Sequence, residues 1–164
     1  MTQANDIVIV SGVRTAIGTF NGSLKHTHQH DLGAAVIREA IARAGIAPQD
    51  IDETIVGNVG QIAESGFIAR ICQLRAGIPQ ESSYSVNRQC GSGLQALADG
   101  MMQLQSGQAE VVVACGTENM TQLPYYLRKA RDGYRMGHGE LEDGLISILT
   151  WPEGPYHNGI TAEN

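Results

Sequence analysis

Apolar and polar positions along this chain switch between two periods. The run Ile7-Val8-Ile9-Val10 predicts a first strand, and a glycine-rich loop follows it through Gly22. From about Asp31, a good N-cap, Leu32, Val36, Ile37, Ala40, Ile41 and Ala44 share one face of a helix that Gly45 ends and Pro48 keeps from resuming. After the acidic turn Gln49-Asp50-Ile51-Asp52, Thr54 to Val59 reads as a strand. Phe67 to Ala76 reads as a helix closed by Gly77 and Pro79, and Ser83 to Val86 as a further strand. Leu94, Leu97, Ala98, Met101, Met102 and Leu104 then recur at helical spacing, with Gly107 as the C-terminal cap, before the strand Val111-Val112-Val113-Ala114. Strands alternating with helices imply parallel pairing through crossovers, so the expected fold class is α/β, a layered domain with a mostly parallel sheet. From Thr117 onward glycines, prolines, Tyr125-Tyr126 and Trp151-Pro152 break the period, which predicts a loop-rich segment with one or two short helices. Thr161-Ala162-Glu163-Asn164 reads as the first turn of a helix, so the chain is expected to be part of something longer. No internal repeat is visible.

Composition narrows the function classes. A chain of 164 residues can bury roughly two thirds of its unfolded surface as one domain. Its 42% hydrophobic and 17% charged residues are those of a globular protein, not a disordered one. A formal charge of −6 with scattered Lys and Arg argues against a nucleic-acid surface. The densest basic cluster, Arg128, Lys129, Arg131 and Arg135, is expected to be a solvated surface segment, with a phosphate or pyrophosphate contact as the alternative. No segment approaches the ~18 apolar residues of a membrane span, and Met1 to Asp6 lacks a cationic region ahead of an apolar one. Three cysteines, Cys72, Cys90 and Cys115, make neither a disulfide framework nor a C-x-x-C pattern, so a cytoplasmic location is expected.

The chemistry concentrates at Ser85-Val86-Asn87-Arg88-Gln89-Cys90-Gly91-Ser92-Gly93-Leu94-Gln95-Ala96. Cys90 falls between a strand and the start of a helix, where unpaired N–H groups and the positive end of the dipole favour a thiolate. Gly91 and Gly93 keep that turn free of β-carbons, so a bulky thioester can approach the sulfur. A buried structural cysteine is the bland alternative, against which the polar flank Asn87, Arg88 and Gln89 speaks. Gly91-Ser92-Gly93-Leu94-Gln95-Ala96 also fits G-x-G-x-x-A, yet no acid stands at the end of the next strand as a dinucleotide site requires, and no Gly-Lys-Ser/Thr triplet occurs. Cys115 and Cys72 read as structural. His26, His28 and His30 alternate and would share a strand face able to bind zinc, but lack companion Cys or acidic residues. They are expected to be a polar surface loop, with no metal site. His138 carries no signal. His157, in the stiff aromatic loop Pro155-Tyr156-His157-Asn158-Gly159, is a candidate for lining a site.

In order along the chain stand Ser11-Gly12-Val13-Arg14-Thr15-Ala16-Ile17-Gly18, Asp31-Leu32-Gly33-Ala34, Gly57-Asn58-Val59, Ala69-Arg70 and Ala76-Gly77-Ile78-Pro79. The Cys90 segment, Gly116-Thr117-Glu118-Asn119-Met120 and Gly159-Ile160-Thr161-Ala162-Glu163-Asn164 follow. Over essentially the whole chain this series resembles the N-terminal part of a thiolase. The Cys90 segment is highly specific; the others are individually weak but collinear. The resemblance implies one βαβαβ-type half of a layered thiolase fold over residues 1–118, and the beginning of a CoA-contacting loop domain over 119–164. It implies an acyltransferase of the acetyl-CoA acetyltransferase type that forms or cleaves 3-ketoacyl-CoA through an S-acyl cysteine. Cys90 matches the catalytic nucleophile, with its own N–H contributing to an oxyanion hole. His157 and Asn158 fall at substrate-binding positions, Asn158 where many thiolases carry methionine, a departure that implies a more polar or differently shaped acyl pocket and leaves substrate choice open. CoA thioesters are substrates, no cofactor is expected, and the complete protein is expected to be a homodimer or homotetramer. The family's base for the nucleophile, its second cysteine and its Asn–His pair lie in a C-terminal half these 164 residues do not contain. Turnover by this chain alone is therefore not expected. Two alternatives stand beside this reading: a non-catalytic remnant that self-associates or binds a partner, and a condensing enzyme of the ketoacyl-synthase kind.

Overall fold

The structure is a computed structural model that describes residues 6–79, 82–154 and 156–164. Pro155, part of the stiff loop expected around His157, lies outside the described residues. Helix α1 spans Gln29–Ala44 and ends at Gly45, whose φ of 67° supplies the left-handed cap that a Cβ would disfavour. Its start lies earlier than expected, with His28 at the N-cap position. Asp31 sits in the first turn, paired with Arg75. Strand β1 (Glu53–Gly57), helix α2 (Ile68–Ala76), strand β2 (Ser83–Val86), helix α3 (Ser92–Ser106) and strand β3 (Val112–Gly116) follow. Gly77 and Gly107, at φ 92° and 72°, close α2 and α3 as predicted.

The three strands form one parallel sheet in the order β2-β1-β3, with Ile55 opposite both Tyr84 and Ala114. Parallel neighbours need crossovers, and α2 and α3 provide them. Central β1 is buried along its whole length. Val56 and Cys115 face Ile37 and Ile41 of α1 and Ile68, Ala69 and Cys72 of α2, in a cluster completed by Ile51 and Ile78. The other face of the sheet, with Ile55 and Val112, meets α3. Asp52 fastens the entry to β3 by accepting from the N–H groups of Glu110 and Val111 at 2.7 and 2.9 Å, which holds its carboxyl below its ordinary value.

One strand expectation is overturned here. Ile7 to Val10 is extended but enters no ladder, and its four side chains are 38–77% exposed. An apolar run makes a strand only when it pairs with a neighbour, and this run pairs with none of the described strands. Residues 11–20 instead line a cavity of about 490 Å3 together with α1 and residues 113–121. Helix α3 forms where its periodicity places it. The larger apolar side chains that predicted the helix turn outward, Leu94 at 73% and Met102 at 51% exposed. The face against the sheet is made of Ser92, Ala96 and Gly100.

Beyond β3 the chain is loop-rich, as its composition predicts. Strands β4 (Tyr125–Tyr126) and β5 (Glu142–Asp143) form a short antiparallel pair, and helices α4 (Gly144–Leu149) and α5 (Asn158–Glu163) follow. The basic cluster between them is exposed. Arg128 makes a bidentate pair with Glu142, whose carboxyl it draws down to about 2, with a further hydrogen bond from Ser147. No helix among the described residues is long and apolar enough to cross a membrane.

Candidate active site

All three strands run in one direction, so their C-terminal ends share one edge of the sheet, where ligands of open parallel sheets bind. The loops leaving β1, β2 and β3 meet there. Asn58, just past β1, donates through Nδ2 to Thr117 O at 2.9 Å, Glu118 Oε1 at 3.0 Å and Gln29 Oε1 at 3.3 Å. Glu118 also accepts from the N–H groups of Val59 at 2.9 Å and Gly60 at 3.1 Å. Burial pushes its carboxyl up from the ordinary value, and these donors hold it back. Asn119 Nδ2 donates to the carbonyls of Leu24 and Thr27 at 3.1 and 2.8 Å, tying in the segment ahead of α1. The sheet edge is thus a rigid polar belt.

Cys90 stands at this edge, in the turn from β2 into α3, and its thiol is exposed. Gln89 holds φ at 50°, the left-handed region that a residue with a Cβ enters at a cost of about 1 kcal/mol. Side-chain hydrogen bonds brace it, beside the backbone bond from Ser92 N to Gln89 O at 2.9 Å. Asn87 Oδ1 accepts from Gln89 N at 3.0 Å, and Ser92 Oγ accepts from Arg88 N at 2.9 Å and donates to Gln89 O at 2.6 Å. Behind the turn, a Cβ on Gly57 would lie 2.5 Å from the Ser92 carbonyl carbon, and a Cβ on Gly116 would lie 3.3 Å from Gly93 Cα. These glycines let the first turn of α3 rest directly on the strands. Cys72 and Cys115 are buried and their thiols are pushed up to about 12, chiefly by desolvation. Of the three thiols only Cys90 is accessible.

His157 caps α5: its Nδ1 accepts from Gly159 N at 3.0 Å, so the ring is oriented by the helix it starts. Asn158 lines a shallow cavity with Trp151, Tyr156, Thr161 and Asn164. No described hydrogen bond or cavity joins His157 or Asn158 to Cys90. Of the remaining histidines, His26 is an exposed turn residue as expected, whereas His28 and His30 depart from expectation. His30 is not in a surface loop but in the buried first turn of α1, 4% exposed, with Nδ1 against Ser65 Oγ at 2.7 Å. Its ring stacks on His28 at 5.0 Å and 9°, and near-parallel rings cannot aim their lone pairs at one ion. Burial, reinforced by Arg75, lowers the affinity of His30 for a proton. Sequence reasoning missed the left-handed Gln89 and the double bond of Ser92. A serine three residues after an Arg-Gln pair carries no distinctive signal, although the capping preference of serine near a helix start hints at it.

The sequence model described as thiolase, N-terminal domain, matches residues 7–164. The chain belongs to the thiolase family. Among its relatives, an acetyl-CoA acetyltransferase of Escherichia coli K12 is 48% identical over 161 residues, covering 96% of this chain and 41% of the relative. An acetyl-CoA acetyltransferase of Syntrophomonas wolfei is 44% identical, covering 99% of this chain and 42% of the relative. The crystal structure of the Bacillus anthracis acetyl-CoA acetyltransferase superposes with a TM-score of 0.91 at 42% identity, over 96% of this chain and 40% of that one. The α/β architecture is therefore that of a thiolase, and this thiolase chain spans about two fifths of the length of the curated relatives it matches, 41% for the first of them.

Proposed function

We propose that this chain carries the acyl-accepting part of a thiolase that forms or cleaves 3-ketoacyl-CoA, acetoacetyl-CoA and acetyl-CoA being the substrate class its relatives' names indicate. The observation that carries the reading is the exposed Cys90 on a braced turn at the C-terminal edge of the parallel sheet, beside two buried thiols that cannot compete. The Cys90 thiolate attacks the thioester carbonyl, the carbon–sulfur bond to CoA breaks, and CoA leaves as a thiolate that takes up a proton. The N–H groups of Gly91 and Ser92 are already bonded to the carbonyls of Arg88 and Gln89, so the donor for the developing oxyanion from this turn is the Cys90 N–H. His157 and Asn158 belong to the wall of the pantetheine and acyl pocket in this reading, with the loop-domain portion taken from residue 119. The cytoplasm is the compartment, and a homodimer or homotetramer the state of the complete protein.

Incubation with acetyl-CoA tests it. The expected result is one acetyl group on the Cys90 peptide with release of one CoA, no sustained turnover, and no label in Cys90→Ala. A folded chain whose Cys90 stays unmodified overturns the reading.

One observation favours a second reading, that of a non-catalytic module. The outward face of α3 exposes Leu94, Leu97, Met101 and Met102 together, a patch that soluble monomers seldom carry. Light scattering after size exclusion separates the two: a concentration-dependent assembly that never labels at Cys90 supports the module, and a monomer that labels excludes it.

A further inference from the structure

We propose that Ser92 is a positioning residue for the Cys90 nucleophile, an inference that rests on Cys90 being the acyl acceptor. Ser92 is 4% exposed, so its hydroxyl meets no substrate. What it does is close the turn on both sides of the left-handed residue. It accepts from Arg88 N at 2.9 Å, one residue before Gln89, and donates to Gln89 O at 2.6 Å. A glutamine at φ 50° relaxes toward negative φ unless something holds it. That relaxation rotates the peptide joining Gln89 to Cys90, and with it both the sulfur and the Cys90 N–H. Ser92 itself cannot follow, because its backbone is pressed against Gly57 of β1, where a Cβ would come within 2.5 Å of its carbonyl carbon. The sheet therefore holds Ser92, Ser92 holds Gln89, and Gln89 aims Cys90. Asn87 contributes a third bond, 3.0 Å from Gln89 N, on the strand side of the turn.

The test reads alkylation of Cys90 by iodoacetamide in the 164-residue chain. Threonine and valine have the same shape and differ in the hydroxyl alone, so Ser92→Thr and Ser92→Val carry the same packing change. Alkylation is expected to be about tenfold slower in Ser92→Val than in Ser92→Thr, and Ser92→Ala is expected to match the valine variant. Gln89→Gly added to Ser92→Val should restore most of the rate, because glycine enters positive φ without the steric cost that the brace offsets; loss of packing alone gives no such rescue. Equal rates in the threonine and valine variants, or no recovery with Gln89→Gly, overturn the proposal. Acetylation by acetyl-CoA is read separately. A chain that acetylates Cys90 equally in both variants keeps its proposed function and loses the brace; a chain that alkylates as expected but never acetylates keeps the brace and loses the function.

Discussion

Gln89 and the three cysteines show how much of the site is decided by single residues. The left-handed backbone of Gln89 is a local cost of about 1 kcal/mol, placed directly beside the thiol and offset by hydrogen bonds from Asn87 and Ser92. Burial sorts the thiols. A disulfide reagent at neutral pH should titrate one cysteine quickly in the native chain and all three in denaturant, and the fast reaction should vanish in Cys90→Ala; two fast thiols would contradict the burial of Cys72 and Cys115. The same burial has a pH signature. A thiol raised from 9.0 to about 12 in the folded chain keeps its proton where the unfolded chain has begun to lose it. The folded state then binds more protons between those values, so the stability these thiols contribute is whole below about pH 9 and is lost as pH rises toward 12. Cys115→Ala should reduce the slope of unfolding free energy against pH in that window, measured by urea titration; an unchanged slope refutes the assignment. The Arg128 pair behaves oppositely: Glu142, drawn down to about 2, contributes above its ordinary value and loses that contribution as pH falls toward 2.

At the scale of elements, much of the fold was legible because chain breaks are local chemistry. Gly45, Gly77 and Gly107 mark three helix ends and all three adopt positive φ. The strand Ser83 to Val86 is found where its pattern places it. What was illegible depends on partners. Ile7 to Val10 has the composition of a strand yet joins no ladder among the described residues, and helical periodicity located α3 without telling which side faces the sheet. Size decides that. Gly100 would place a Cβ 2.9 Å from Val112 Cγ1, so the sheet side of α3 admits only small residues and the large ones must turn away. The candidate site follows the same division: the glycines around Cys90 announced an open turn, whereas no sequence pattern marks a glutamine for positive φ or places His30 in the core. Gly57→Ala should therefore lift the first turn of α3 and destabilise the chain by about 1–3 kcal/mol in urea, while slowing Cys90 alkylation. Gly45→Ala, where a Cβ meets nothing within 4 Å, should cost about 1 kcal/mol through backbone strain alone and leave alkylation unchanged.

The whole molecule presents a helix whose large apolar side chains face outward. The large apolar side chains of a surface helix ordinarily face the core, yet Leu94, Leu97, Met101 and Met102 of α3 are exposed. Of its polar residues, Gln95 and Asp99 are bonded to each other at 2.5 Å, and Gln95 is also held by Arg88. If copies cover each other's α3, folding and association share one equilibrium, and the thermal midpoint becomes a function of protein concentration. A tenfold dilution series followed by circular dichroism should shift the wild-type midpoint downward and leave that of Leu97→Lys in place.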